Sequence, residues 1–132
     1  MADKDWNREE LAWAAGFIDG EGYFGLRIAR RKPTDTRTYA LPVLSVAQCD
    51  RRVLDRLHIA LGIGHVKGPY KKDNPKWNAS YMFYATGGFN ISRIFDLISP
   101  WLSPVKLDQA TKVIAGFRVY QARPKMKMGP KP

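Results

Sequence analysis

The stretch Ala14-Ala15-Gly16-Phe17-Ile18-Asp19-Gly20-Glu21-Gly22 decides how this chain folds. It is a segment of small residues that ends in two carboxylates set between glycines. Upstream, Asn7 followed three residues later by Glu10 resembles a capping box, which predicts a helix over about 8–19. The glycines at its end break that helix, because glycine adopts backbone geometries that other residues avoid.

The two carboxylates that close the helix are candidates for different tasks. We expect Asp19 to hold the helix end, and Glu21, released from the helix by Gly20, to project past it. A projecting carboxylate suits a hard, oxygen-liganded cation such as Mg²⁺. Hydrolysis of a phosphodiester uses such ions to activate water. The spacing alone is also typical of an ordinary acidic helix end.

Outward from this stretch, the hydrophobic pattern predicts two hairpins separated by helices. Phe24, Leu26 and Ile28 alternate with small or basic residues, which is typical of a strand with one apolar face. The elements expected after it are a strand over 38–48, a helix over 51–61, a strand from 65, a strand over 77–86, and helices over 91–98 and 105–122. Pro42 predicts an edge position or a bulge in the second strand. The predicted fold class is therefore α+β, in the order α-ββ-α-ββ-α(α), with helices on one face of an antiparallel sheet.

The distribution of charge predicts an anionic partner. The net charge is +10, and residues 1–21 hold half of the twelve acidic side chains. Residues 22–132 carry 20 basic and 6 acidic side chains, a net of +14. Such an excess favours nucleic acid or another anionic surface, and a structural or protein-interaction domain does not explain it. A merely soluble, highly charged domain is the alternative reading of charge alone.

Several classes of protein are disfavoured. The single cysteine, Cys49, excludes an intrachain disulfide and a cysteine-based zinc site. No apolar run approaches the ~20 residues of a membrane span, and the polar N-terminus lacks the pattern of a signal peptide. We expect an intracellular protein with no membrane partner, built as one domain over 1–123 with a flexible basic tail over 124–132.

The nine-residue stretch as a whole resembles the LAGLIDADG motif of homing endonucleases. Gly16, Ile18, Asp19 and Gly22 are in place, and Glu21 stands at the motif's second acidic residue, where the family commonly has Asp. The resemblance continues through the segment 44–57 and the segment 102–110, and it spans roughly residues 10–115. The order of elements in the family matches the order predicted above.

The resemblance implies an active site. Gln48 falls where the family has a glutamine that organises active-site water, and Lys106 falls on the family's active-site lysine. It therefore implies that Glu21, Gln48 and Lys106 are catalytic, and that Glu21 and Gly20 hold Mg²⁺. Mn²⁺ is expected to substitute, and Ca²⁺ to bind without efficient cleavage. Read as isolated residues, Gln48 is also typical of a strand end and Lys106 of a solvated helix turn.

The activity implied by the resemblance is site-specific cleavage of double-stranded DNA. A homing endonuclease of this type, associated with intron homing, hydrolyses both strands of a long, pseudo-palindromic target. The competing interpretation is a binding module, either an RNA maturase or a DNA binder that does not cut. Retention of Glu21, Gln48 and Lys106 favours cleavage.

One copy of the motif implies a homodimer, because single-motif members of the family work as homodimers. Two motif helices packed side by side would bring two copies of Glu21 together, and a C2 dimer would read a palindromic site. The expected interface is the face of the motif helix that carries the small residues Ala12, Ala15 and Gly16 and the carboxylate of Asp19, together with Trp13.

The exposed face of the sheet is expected to form a DNA-binding saddle. Base contacts are expected from the positions that alternate away from the core, namely Gly25, Arg27, Ala29, Arg31, Tyr39, Leu41, Val43, Ser45, Lys67, Asn78, Ser80 and Met82. Phosphate contacts are expected from basic residues around it, namely Arg51, Arg52, Lys71, Lys72 and Lys76. A solvated helix face is the alternative interpretation of Arg51 and Arg52.

Overall fold

Helices and strand pairs alternate along the chain in the predicted order. The computed structural model describes residues 6–71 and 79–122. The elements are α1 (Arg8–Glu21), β1 (Gly22–Ala29), β2 (Tyr39–Gln48), α2 (Arg51–Leu61), β3 (His65–Tyr70), β4 (Ser80–Thr86), α3 (Gly88–Ile98), a 3₁₀ turn (Ser99–Trp101) and α4 (Pro104–Ala122). The α+β class is confirmed, with four α-helices and a four-stranded antiparallel sheet in this part of the chain. The start predicted for the fourth strand, and the tail over 124–132, lie outside the described residues.

The first two helices begin at the residues that the sequence predicts, and α2 also ends where predicted, whereas α1 runs two residues past its predicted end at 19. Asn7 caps α1, its Oδ1 accepting a hydrogen bond of 3.1 Å from the Glu10 N–H. Asp50 caps α2 by accepting from the Arg52 N–H at 2.9 Å, and Gly62 ends that helix in the left-handed region at φ 69°. These caps are local interactions, and they define where α1 and α2 start.

The sheet has the strand order β1-β2-β4-β3, and all its pairs are antiparallel. The register places Phe24 opposite Leu44, and Leu44 opposite Ala85. β2 is an inner strand, so the expectation that Pro42 marks an edge strand is wrong for the strand as a whole. Pro42 is tolerated because its missing N–H falls beyond the β4 ladder, which starts at Val43. Its carbonyl oxygen accepts from the Gly87 N–H at 2.9 Å.

The two faces of the sheet differ as the period-two alternation predicts. The helix-covered face presents buried side chains to the core, among them Phe24, Leu44, Val46, Phe83 and Ala85. The other face, called here the open face, is not covered by a helix. By register it carries Tyr23, Gly25, Arg27, Ala29, Tyr39, Leu41, Val43, Ser45, Ala47, His65, Lys67, Ser80, Met82, Tyr84 and Thr86. None of these described positions is acidic.

Helices α3 and α4 approach each other closely at Gly88. A Cβ at Gly88 would lie 2.1 Å from Cε2 of Phe117, a separation that real Cβ atoms do not show. We predict that Gly88→Ala lowers the free energy of unfolding by roughly 1–3 kcal/mol, since the ring must shift in a packed layer. Urea unfolding measures the change. In a Phe117→Ala background the ring is gone and the cost should vanish; an equal cost in both backgrounds would contradict this packing.

Candidate active site

Helix α1 turns directly into strand β1 at Gly22. The Gly22 N–H makes the last i→i−4 bond of the helix, to the carbonyl oxygen of Ile18, and Gly22 itself is extended, with φ −89° and ψ 158°. A Cβ at Gly22 would lie 2.8 Å from Ile18 Cγ2 and 2.9 Å from Ile18 O, so a side chain cannot be placed there without a shift of backbone. The expectation that Gly20 releases Glu21 from the helix is wrong, because α1 continues through Glu21. The Glu21 side chain is exposed at the junction itself.

Lys106 reaches this junction from the first turn of α4. Its Nζ donates to the carbonyl oxygen of Gly22 at 2.6 Å and to Oε1 of Gln109 at 3.2 Å. The same Gln109 oxygen accepts from the Phe24 N–H at 3.1 Å. Lys106 and Gln109 lie three residues apart, so both side chains leave the same side of α4. The lysine ammonium is therefore held beside the residue that follows Glu21.

Asp19 fastens α1 to the start of α4. The Ser103 N–H donates to Asp19 Oδ1 at 2.8 Å, and the Ser103 hydroxyl accepts from the Lys106 N–H at 3.4 Å. Hydrogen bonds from Ser103, first from its side chain and then from its backbone, lower the pKa of Asp19 below its ordinary value, and the charge of Lys106 lowers it further. Asp19, predicted for the dimer interface, thus makes a bond inside its own chain.

Gln48 lies at the same end of the sheet. Gly22 is paired with Val46, and Gln48 is the last residue of β2, two positions farther on. β2 therefore extends past the first residue of β1, toward the end of α1 that carries Gly20 and Glu21. The fold brings the three predicted catalytic residues, Glu21, Gln48 and Lys106, to one corner of the molecule around Gly22.

The donor set at this corner is small and consists of oxygen atoms. The described residues contain no group of three or more His, Cys, Asp or Glu side chains that could enclose a metal ion. They do present the exposed Glu21 carboxylate and, one residue before it, the exposed Gly20 backbone. Mg²⁺ keeps several waters and is commonly held by one or two carboxylates together with substrate phosphates. The residues present fit such an ion and do not fit a fully protein-enclosed site.

Most of the predicted DNA-contact positions are accessible. Arg27, Arg31, Tyr39, Lys67, Lys71, Arg51 and Arg52 are exposed, and Ala29, Leu41, Ser45, Ser80 and Met82 are half-buried. Arg51 pairs with Asp55 at 3.4 Å, and Arg52 pairs with Asp50 at 2.7 Å. The pKa of Asp50 falls to about 2, because Arg52 donates to it through its side chain and backbone. Lys72, Lys76 and Asn78 lie outside the described residues.

Two predicted contact positions need correction. Gly25 and Val43 lie opposite each other on the open face, yet both are buried. The ring of Tyr23 covers Gly25, and Val43 is only 6% exposed. Neither position is therefore open to direct contact with another molecule.

The surface of α1 partly matches the predicted interface. Gly16 is exposed, and a Cβ built there meets no atom within 4 Å; the same holds for Gly20 one turn later. Ala12 is half-buried. Ala15 is fully buried in the core of its own chain, so its assignment to the interface is corrected.

Trp13, also assigned to the interface, is engaged within the chain. It stacks on Phe17 with ring centroids 5.4 Å apart, and the Arg56 guanidinium lies 3.8 Å above its ring. Arg56 in turn pairs with Glu10 at 2.7 Å. The pKa of Glu10 is lowered by this hydrogen bond. These contacts hold the outer side of α1 against α2.

Sequence reasoning missed two residues near this corner, Gln109 and Tyr23. The three-residue spacing from Lys106 indicates that Gln109 shares its helix face. Alternation with Gly25 and Arg27 indicates that Tyr23 belongs to the open face. Neither pattern reveals the hydrogen bond to Phe24 or the ring placed over Gly25.

Solved homing endonucleases share this arrangement of elements. I-CvuI in complex with its target gives a TM-score of 0.70 at 23% identity, over 87% of this chain and 69% of that chain. I-TnaI gives 0.66 at 21%, over 89% and 75%. This chain has the LAGLIDADG homing endonuclease fold. The LAGLIDADG meganuclease I-CpaMI bound to uncleaved DNA also shares that fold, with a TM-score of 0.66 at 21% identity, over 89% of this chain and 37% of that chain.

No protein-family model and no curated protein matches this chain. Within residues 6–71 and 79–122, none of the helices of this LAGLIDADG fold is both long and apolar enough to cross a bilayer.

The Asp19–Ser103 bond makes stability depend on pH. Folding lowers the pKa of Asp19. The ionised carboxylate therefore adds to the free energy of unfolding above the ordinary Asp pKa of about 3.9, and this addition is lost as the pH falls through the pKa of the folded state. We predict that Asp19→Asn lowers the free energy of unfolding at pH 7 by about 1 kcal/mol, the difference between a charged and a neutral acceptor. Urea unfolding at pH 7 and pH 3 should show that this difference shrinks in acid.

The control for that measurement is Asp96→Asn, which removes a charge from an exposed position of α3. It should cost little at either pH. A penalty for Asp19→Asn that is equal at pH 7 and pH 3 would show that the charge of Asp19 does not act through this bond.

Proposed function

We propose that this chain is a metal-dependent, site-specific DNA endonuclease that acts as a homodimer and hydrolyses both strands of a long, pseudo-palindromic target. The observation that carries the proposal is the Lys106–Gly22 bond next to Glu21, with Gln48 two residues beyond the strand partner of Gly22. This corner lies at one end of an open sheet face without acidic residues among its described positions. The solved relatives add support, since I-CvuI is in complex with its target and I-CpaMI is bound to uncleaved DNA.

Glu21 is the proposed metal ligand, together with the carbonyl of Gly20. Glu21 is exposed and is the last residue of α1. The residue after it, Gly22, already uses its carbonyl oxygen to accept from Lys106. A bound divalent cation, Mg²⁺ or Mn²⁺, would supply a nucleophile at neutral pH and neutralise charge on the leaving oxygen. I-CvuI is in complex with its target in the presence of Ca and, with another target, in the presence of Mg with DNA not cleaved. Ca²⁺ is expected to support binding here with little cutting.

Lys106 is the proposed cationic group of the reaction. In hydrolysis, the water oxygen bonds to phosphorus, the water loses a proton, and the departing sugar oxygen gains one. An ammonium held by Gly22 O and Gln109 Oε1 lies beside Glu21 and can stabilise negative charge that develops on the phosphate. Gln48, at the end of β2, can orient the water through its amide.

The open face is the proposed DNA surface. Arg27 and Lys67 are exposed on it, and Ser45, Ser80 and Met82 lie between them on the inner strands. Basic side chains attract phosphates regardless of sequence, whereas base edges are read by directed hydrogen bonds. With the acidic residues concentrated in 1–21, the remainder of the chain carries the charge that DNA binding requires.

Homodimerisation is proposed from the open space on α1. Each chain offers one Glu21, so two chains are needed to cut two strands. Gly16 and Gly20 are exposed and leave room for another helix to approach. A C2 arrangement of two α1 helices would place the candidate active sites of the two chains, each around its own Gly22, side by side.

The first test of function concerns Glu21. Glu21→Gln keeps shape and removes charge, so we predict that cleavage falls by roughly 10²–10³-fold while DNA binding is retained. A gel shift and a plasmid-nicking assay on the same preparation measure both, with Mg²⁺ for cutting and Ca²⁺ for binding. Glu9→Gln, on the exposed first turn of the same helix, is the matched control and should cut normally.

Retained cleavage by Glu21→Gln would refute the role given to that carboxylate. Loss of binding together with cleavage would assign Glu21 to DNA recognition. Binding by both proteins without cutting by either would favour the non-cutting binding module.

The second test concerns the dimer. Gly16→Leu meets open space within its own chain and improves helix propensity by roughly 1 kcal/mol, so the chain should still fold. Between two α1 helices the same side chain would keep the backbones apart. We predict loss of the dimer and of double-strand cutting, measured by sedimentation velocity and by linearisation of plasmid.

Ala115→Leu is the control for that experiment, because it enlarges an exposed position on α4. It should leave both mass and cutting unchanged. A Gly16→Leu protein that remains a fully active dimer would place the interface elsewhere.

A further inference from the structure

Tyr23 occupies an unusual place on the open face. It follows Glu21 by two residues, and its side chain is 56% exposed. By register it belongs to a row across all four strands, with Ser45 opposite it and Tyr84 and His65 beyond. The rings of His65 and Tyr84 lie 6.2 Å apart. The row carries four polar hydrogen-bonding side chains one step from the candidate active site.

The ring of Tyr23 lies along its own strand instead of standing away from the sheet. A Cβ at Gly25 would lie 2.5 Å from Cε2 of Tyr23 and 2.8 Å from both Cζ and the hydroxyl oxygen. The ring therefore fills the space that a side chain at position 25 would need. This is why Gly25 is buried although it lies on the open face.

The position of the hydroxyl follows from that contact. Since the Tyr23 oxygen is close to the Cβ position of Gly25, it lies at the level of the next row, where Gly25 faces Val43. That row offers no polar side chain of its own on β1 and β2. The Tyr23 hydroxyl is the polar group of these two strands at that level.

We infer that Tyr23 is a specificity-determining residue that reads bases next to the scissile phosphate, and that Gly25 is the positioning residue that lets its ring lie flat. The inference rests on the proposed function. A phenol hydroxyl both donates and accepts a hydrogen bond, and sequence is read through such bonds to base edges. Nearness to Glu21 places the reading close to the cut.

A purely structural role for Tyr23 makes a different prediction. A ring that only covers Gly25 would be replaced by phenylalanine without effect, because the two rings have the same shape. The hydroxyl matters only if it meets another molecule. Tyr23→Phe removes the hydroxyl and keeps the ring, so it tests a hydrogen bond to a base without changing how the ring covers Gly25 or how the chain folds.

The experiment selects DNA from a library randomised over the target half-site, once by binding in Ca²⁺ and once by cleavage in Mg²⁺. Tyr23→Phe should reduce discrimination at one base pair in each half-site by roughly three- to tenfold, the effect of one hydrogen bond. Discrimination at the other positions should stay as in the wild type. Circular dichroism and sedimentation confirm that the variant is folded and assembled like the wild type.

Tyr39→Phe is the matched control, since Tyr39 is also an exposed tyrosine of the open face. Tyr39 lies opposite Ala29, six residues along β1 from Tyr23. At ~3.3 Å per residue this is ~20 Å, or about six base pairs at 3.4 Å each. Any change caused by Tyr39→Phe should therefore appear roughly six base pairs farther from the cut.

Gly25→Ala tests the positioning role. The added methyl must displace the Tyr23 ring, so the same base pair should lose discrimination as in Tyr23→Phe. Combining the two substitutions should weaken discrimination no further than Gly25→Ala does, because the displaced hydroxyl no longer reaches that base. An unchanged profile for Gly25→Ala would overturn the positioning role.

The outcomes separate this inference from the proposed function. If the wild type has a defined selection profile and Tyr23→Phe does not change it, the role given to Tyr23 is overturned. The proposed endonuclease activity is then unaffected. If the wild type binds DNA selectively but does not cut it, the proposed endonuclease activity is overturned, and the binding profile still tests the role of Tyr23. A wild type without any selective binding overturns both.

Discussion

The junction between α1 and β1 has no space for a side chain at Gly22, and the rest of the candidate site is placed from that point. The glycine backbone lies against Ile18, so the chain passes from helix to strand without a connecting loop. Glu21 is thereby set at the corner of the sheet rather than on a mobile segment. Lys106 donates to the carbonyl oxygen of Gly22, and this bond fixes the lysine ammonium relative to the Glu21 carboxylate.

The start of α4 is tied to this junction at two places. Ser103 binds Asp19 at the end of α1, and the Lys106–Gln109 pair binds the first residues of β1. Sites built on helices and strands hold geometry more closely than sites on loops. The open face lies on the opposite side of the sheet from the core, so substitutions at its exposed positions, such as Arg27 and Lys67, should have little effect on packing.

Much of the fold could be predicted from the sequence, because alternation of apolar residues, caps and glycines is local information. The motif and two distant segments, 44–57 and 102–110, predict the residues of the candidate site. The exposure of individual residues could not be predicted in this way. Ala15 lies in the core, and Gly25 lies beneath Tyr23, because of contacts that helical or strand periodicity does not specify. The Phe24–Gln109 bond joins residues 85 apart in the chain.

That bond and its neighbour have a consequence for association between sheets. β1 is an edge strand, and the Gly22 C=O and Phe24 N–H are among the main-chain groups that an incoming strand would use. Lys106 offers a donor to the first and Gln109 an acceptor to the second, which is the pattern a fifth strand would present. Two side chains of a helix thus imitate a neighbouring strand at that point. The edge is blunted there against strand addition, the route by which exposed sheet edges aggregate.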